Sequence, residues 1–153
     1  MNDEAAALIN LLVGKRLVHI CCEAEMLDFD FAPFALHAMG CTRVIKNNDI
    51  LVTTLDYHSW DLQESTHNDE WENVKRFYAE MVNGMVISAA ISPWYDLRIV
   101  LDNHVIIECL IANAYAHYGQ EQEQWVLFET KENEKGKRAF LTAYNKGMTF
   151  HVI

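Results

Sequence analysis

Basic side chains are scarce in this 153-residue chain: 12 Lys and Arg stand against 22 Asp and Glu, for a formal net charge of −10. Direct nucleic-acid binding needs clustered cations to displace counterions, so this balance argues against it and suits solubility or a basic partner. Long apolar runs are missing as well. With no window of about 18 apolar residues, no membrane-spanning helix is expected. The start, Met1-Asn2-Asp3-Glu4, is acidic where a signal peptide is basic. The apolar stretch Ala5 to Val13 then ends at Gly14-Lys15-Arg16 without a small-residue cleavage pattern, so a cytoplasmic location is expected. The motifs G-x-S-x-G, G-x-x-x-x-G-K-[ST], G-x-G-x-x-G and H-E-x-x-H are all absent. Cysteine is limited to Cys21, Cys22, Cys41 and Cys109. Neighbours on a strand point to opposite faces, so the adjacent pair suits a disulfide framework poorly, and reduced thiols are expected. Those cysteines with His19 and His37 lack zinc-type spacing; neither a metal nor a cofactor is expected. Cys109, beside Glu108 in an apolar run, reads as buried and inert. The expectation is a protein that is not an enzyme.

What is present is a core: 51% of residues are apolar or aromatic. A chain of this length buries about 70% of its unfolded surface, which argues for a single domain over residues 1–153. A first helix is expected near residues 3–13, capped by Asn2 or Asp3, striped by Leu8, Leu11 and Leu12, and stopped at Gly14. A second is expected near 68–82, where Trp71, Val74, Phe77 and Met81 fall at three- and four-residue steps; Thr66 and Asp69 resemble a capping box. Strand patterns occur at Leu17–Cys22, Leu27–Phe31, Ala35–Met39, Thr42–Lys46, Ile50–Leu55, Val86–Ile91, Asp96–Leu101, Val105–Leu110, Trp125–Phe128, Arg138–Tyr144 and Met148–Val152. Short turns at Asn47-Asn48-Asp49, Asp102-Asn103 and Asn145-Lys146-Gly147 cannot hold a parallel crossover, so the strands pair antiparallel; Gly147 is expected in the left-handed region. Pro33 and Pro93 sit at strand margins.

The two halves echo each other. Val13 and Leu17-Val18 match Val82 and Val86-Ile87 at an offset of 69, with Gly14 and Gly84 slipped by one. Leu27-Asp28-Phe29-Asp30-Phe31 matches Tyr95-Asp96-Leu97-Arg98-Ile99 at 68, and Asn48-Asp49-Ile50-Leu51 matches Asn103-His104-Val105-Ile106 at 55. The shrinking offset places an insertion in the first half, between Ala32 and Lys46. The fold class is therefore α+β, mostly antiparallel sheet in two pseudo-repeated halves, roughly 12–57 and 81–130, with two helices.

Charge is uneven: the first 130 residues carry −13 and residues 131–153 carry +3. Asp56, Asp61, Glu64, Asp69, Glu70 and Glu72 mingle with Tyr57, Trp60 and Trp71. Aromatics anchor and acids steer, so this segment is a candidate epitope for a basic surface; the competing reading is a solvated loop before a helix start. Asp28 and Asp30 share a strand face about 7 Å apart, a spacing a glycosidase pair could use, though such positions usually face water. Both join the candidate partner-binding set with Asp56, Trp60, Asp61, Glu64, Asp69 and Glu70, of which Asp61, Glu64, Asp69 and Glu70 are expected to be exposed. Asp96, after Pro93-Trp94-Tyr95, reads as a turn cap.

Leu12-Val13-Gly14-Lys15, the Asp-containing strand, the Asn-Asp turn, Tyr95-Asp96-Leu97-Arg98-Ile99-Val100-Leu101-Asp102-Asn103 and Gln124-Trp125-Val126-Leu127-Phe128 form one longer pattern. It resembles the immunity proteins of contact-dependent growth inhibition systems, small bacterial proteins encoded beside polymorphic toxins. The resemblance implies a cytosolic protein without activity of its own that occupies a cognate, basic toxin domain. It implies no contact residue by position, because those vary. The alternatives are a small-ligand-binding or enzymatic α+β domain with a pocket between the two β halves, and a homodimer pairing through an apolar β surface.

Overall fold

The structure, a computed structural model, describes residues 1–114 and 122–153. Helix α1 (Asp3–Leu11) is followed by β1 (His19–Glu23), β2 (Met26–Asp30), β3 (Phe34–Ala38), β4 (Cys41–Lys46) and β5 (Asp49–Thr53). A 3-10 turn (Thr54–Ser59) and α2 (Asp69–Met81) lead to β6 (Val86–Ile91), β7 (Leu97–Leu101), β8 (Val105–Leu110), β9 (Glu123–Glu129), β10 (Ala139–Tyr144) and β11 (Gly147–Val152). Each strand pattern in the sequence corresponds to one of these strands, and every pairing between them is antiparallel. The chain is α+β, with a six-stranded sheet ordered β1-β2-β3-β9-β10-β11 and a five-stranded sheet ordered β5-β4-β8-β7-β6.

Alternation fixes the inward faces. Leu27 and Phe29 on β2, Phe34, Leu36 and Ala38 on β3, and Trp125 and Leu127 on β9 are buried on the larger sheet. Leu97, Ile99 and Leu101 on β7 and Val105, Ile107 and Cys109 on β8 are buried on the smaller one. Both sets belong to one core, into which α1 sends Leu8 and Ile9 and α2 sends Val74 and Met81. Trp125 donates its indole N–H to Tyr95 O at 2.9 Å, tying the sheets together with a buried ring and one satisfied donor.

The repeat is visible as hydrogen bonding. Gly14 N–H donates to Val86 O (2.8 Å) and Asn83 N–H to Leu17 O (2.6 Å). Val86 N–H donates to Lys15 O (2.7 Å) and Leu17 N–H to Gly84 O (2.9 Å). Shifting the first bond of each pair by 69 residues and exchanging donor and acceptor strands produces the second, so a pseudo-twofold passes through the Arg16–Met85 bridge. Equivalence continues outward: β1-β2-β3 corresponds to β6-β7-β8, β4-β5 to β9-β10, and each half completes its sheet with the strands of the other. The helices follow the same exchange, α2 lying on β1 and β5 and α1 on β6 and β10.

Several local expectations need correction. The left-handed residue that stops α2 is Asn83 (φ 73), matching Gly14 (φ 86) with no slip. Gly84 is needed for space, since a Cβ there would lie 2.2 Å from Asn103 Oδ1. Leu27, Phe29 and Phe31 match Leu97, Ile99 and Leu101 by burial, an offset of 70 that sets Asp28 against Arg98 rather than Asp96. A slip of two residues preserves alternation, so the sequence pattern alone could not detect it. The match at 55 fails, because β5 corresponds to β10. The insertion accordingly lies in the second half, between β8 and β9. The cap of α2 is Asn68, which accepts from Trp71 N–H at 2.8 Å, not Thr66. Gly147 begins β11 opposite Tyr144 and is not left-handed, whereas Asn47 (φ 52) and Asn48 (φ 68) are. The strand expected through Leu55 ends at Thr53, where Asp56 draws the chain into the 3-10 turn.

Candidate functional site

The acidic segment is a closed loop standing between β5 and α2. Asp56 accepts from Thr53 N–H (2.9 Å) and from the Asn73 side chain (3.2 Å), which fixes the 3-10 turn against the helix. Trp60 stacks on Tyr57, with centroids 5.6 Å apart and planes at 25°, and its indole N–H donates to Glu64 O at 2.8 Å. Asp61 accepts from Gln63 N–H (2.9 Å) and meets His67 Nδ1 at 2.8 Å. The Gln63 N–H, helped by His67, holds the Asp61 carboxyl below its ordinary range. His67 N–H donates to Glu64 O (3.0 Å), and Asp69 N–H to Ser59 Oγ (2.7 Å). The loop is thus cross-braced across its whole width. At its tip Leu62 is held at φ 64 and is 77% exposed, with Leu55 also exposed nearby in sequence. Glu64, Asp69 and Glu72 also face solvent.

The other candidate carboxylates divide. Asp28, on the outer face of the larger sheet, lies opposite Cys21 on one side and His37 on the other. Its Oδ1 is 3.7 Å from His37 Nε2. Burial raises its pKa, the His37 ring opposes that shift, and Glu23 adds to it. Asp30 accepts from Ala32 N–H at 2.8 Å and shapes the turn into Pro33. One strand face therefore carries two carboxylates with different environments. Asp96 is a cap, accepting from Ile111 N–H (2.7 Å) and the Trp94 indole (2.9 Å).

Glu70 requires the largest correction. It was expected on the surface, and it is fully buried, with neither carboxylate oxygen hydrogen-bonded. Burial pushes its pKa up to about 8; the Cys22 thiol beside it works in the opposite direction, while the Asp56, Glu25 and Asp28 charges add to the rise. The same burial, then the Glu70 charge, pushes Cys22 up to about 12. At neutral pH the pair is a carboxylic acid against a half-buried thiol, and Glu70, with no exposed surface under the first turn of α2, cannot touch a partner. The sequence did carry a signal: Glu70, Val74, Phe77 and Met81 follow the same helical step as the stripe begun from Trp71. Aromatic character favoured Trp71, which instead sits half-buried with Lys75 Nζ 4.9 Å from its ring centroid.

A cleft of about 200 Å³ lies where the β3–β4 connection meets the stems of the β8–β9 connection. Most of its polar groups are engaged, although Asn113 Oδ1 is buried with no hydrogen-bond partner among the described residues. Gln124 Oε1 accepts from Ala112 N–H (2.8 Å), Thr54 Oγ1 donates to Gly40 O (2.9 Å) and accepts from Thr42 N–H (3.0 Å), and His58 pairs with Glu25 at the mouth. Gly40 is required there, because a Cβ would lie 2.7 Å from Gln124 Oε1 and 3.1 Å from Leu110 O. The four cysteines are free thiols, and burial pushes Cys109 up to about 12. Among the described residues no group of three or more His, Cys, Asp or Glu side chains is placed to hold a metal ion. Comparison of the chain with protein-family models, with curated proteins and with solved structures finds no match.

Proposed function

We propose that this chain is an immunity protein, a non-catalytic cytosolic binder that neutralises a basic toxin domain by occupying its surface. What supports this is the tip of the 60–68 loop. A leucine in the left-handed region costs about 1–2 kcal/mol, and an apolar side chain left 77% exposed recovers nothing from burial within the monomer. The surrounding hydrogen bonds hold it there all the same. A rigid apolar anchor in a segment whose exposed acids include Asp61, Glu64, Asp69 and Glu72 matches what a basic partner requires: steering by charge, then slow release from a preorganised contact. Asp56 and Trp60 brace the loop, and Glu70 is withdrawn beneath it.

The test is to examine the neighbouring gene for a toxin domain, co-express any such domain with this chain, and measure binding kinetics on the purified pair; a neighbour that encodes no toxin counts against the reading. Replacing Glu64→Gln, Asp69→Asn and Glu72→Gln together should slow association and flatten its salt dependence, because all three are exposed. Losing Asp69 and Glu72 from the helix start costs about 0.3–1 kcal/mol each, so stability is measured in parallel. A folded triple variant that associates at the wild-type rate at low salt removes this loop from the interface. A toxin that kills equally with and without the chain removes the function.

A further inference from the structure

The outer face of the smaller sheet carries one aliphatic side chain at the same level on each of its five strands: Ile50, Ile45, Ile106, Val100 and Ile87. Ile45 pairs with both Ile50 and Ile106, and Ile106 pairs with Val100. Ile87 occupies the β-bulge of β6 beside them. Ile50 is 54% exposed and Ile87 57%, and a shallow hollow of about 510 Å³ opens over the row. On one side of it, residues across β4, β8 and β7 are Arg43, Glu108 and Arg98. On the other side, rimming the hollow, are Asn47, His104 and Asp102. Arg43 Nε reaches Glu108 at 3.1 Å, while Arg98 is exposed and forms no ion pair among the described residues. The pseudo-equivalent level on the larger sheet holds Asp30, Ala35 and Phe128, so the aliphatic row is a property of one sheet only.

We infer that this face pairs with a second copy of the chain, sheet on sheet, about a twofold axis running along the aliphatic row. Such an axis leaves each strand over its own counterpart and exchanges the two flanking rows. Arg98 then meets the partner's Asp102, Glu108 meets the partner's His104, and Arg43 meets the partner's Asn47. Every flanking contact is complementary or neutral, and each occurs twice. The alternative axis, along β8, sets Arg43 against the partner's Arg98 and Glu108 against the partner's Glu108; charge selects the first arrangement. Aligned packing of twisted sheets accommodates it at about 10 Å separation with a modest crossing angle. Five strands at about 4.8 Å and three side-chain rows of about 6.8 Å give roughly 480 Å² per copy, and about 1,000 Å² for the pair. That is the lower bound for a specific interface and implies micromolar self-association.

Sedimentation equilibrium of the full chain, from about 1 to about 300 µM, reads this directly. The expected result is a reversible rise from the 17.7 kDa chain mass towards twice that value. Ile106→Lys places two ammonium groups on the axis and should leave a monomer with an unchanged circular dichroism spectrum. Arg98→Asp, on an exposed side chain that folding does not use, should raise the dissociation constant at least tenfold by facing the partner's Asp102. A wild-type chain that stays monomeric throughout, or an Ile106→Lys chain that dimerises as before, overturns the interface. An unchanged constant for Arg98→Asp overturns the twofold arrangement.

Discussion

Glu70→Gln should make this protein more stable, and only above acidic pH. The native carboxyl titrates at about 8, against 4.5 for the free side chain. A raised folded-state pKa means that folding favours the protonated acid, so the stabilisation is fully present below pH 4.5 and is lost as pH rises from there to 8. At about 1.36 kcal/mol per pKa unit the ideal loss is about 5 kcal/mol above pH 8 and about 3 at pH 7. Solvent screening and relaxation around the ionised group lower the realised figure to about 2 kcal/mol at pH 8. Glutamine keeps the shape and polarity of the neutral acid and cannot ionise. Thermal unfolding of the two proteins at pH 4, 6 and 8 should therefore show midpoints converging at the lowest pH. They should differ by about 4–8 °C at pH 8 in favour of the variant. A variant that is less stable at pH 8, or a difference that does not change with pH, would refute the reasoning, because the carboxylate would then have a compensating partner.

Three further outcomes follow from the same geometry. Leu62→Asn, a residue that tolerates the left-handed region, should hold or raise stability by up to about 1 kcal/mol in chemical unfolding; in complex with the proposed toxin partner it should dissociate at least tenfold faster, and a variant with wild-type dissociation would show that Leu62 is not the anchor. Gly84→Ala should lower stability by about 1–3 kcal/mol, since its Cβ would lie 2.2 Å from Asn103 Oδ1 and displace the Asn103 side chain that donates to Val82 O at 3.3 Å. In a thiol-reactivity time course at pH 8, the buried Cys109, pushed up to about 12, should react only as fast as the protein unfolds, while the half-buried Cys22, also pushed up to about 12, should react slowly because little of it is thiolate; rapid labelling of Cys109 would contradict its burial.

Strand positions were legible because the outward faces are polar or half-polar and the inward faces are not: Leu27, Phe29 and Phe31 alternate with Asp28 and Asp30 whatever they pack against. The tips were legible where side chains dictate backbone, as at Asn47-Asn48. Less legible was anything that depends on counting across long range. The repeat was found at its 69-residue anchor, yet its later matches drifted, because a two-residue slip leaves every inward residue inward and only hydrogen-bonded register distinguishes the alternatives. Within the candidate site, the exposed acids Asp61, Glu64 and Asp69 stand where their sequence context placed them. The loop's bracing, from the Trp60 indole to Glu64 O and from His67 to Asp61, links residues whose pairing no periodicity encodes.

The sequence by itself determined the α+β class, the eleven antiparallel strands and two α-helices of the described residues, and the acidic surface, because each follows from local alternation, capping and charge. Tertiary structure alone decided that the halves exchange strands, so that β4-β5 complete one sheet and β9-β10-β11 the other. It also decided that Glu70 lies in the core while its neighbours in the chain face water. Both outcomes rest on contacts between residues far apart in sequence. Burial of a carboxyl, and so the rise in its pKa, is set by what the fold packs around it rather than by its own chemistry; the nearby Asp56, Glu25 and Asp28 charges add to that rise.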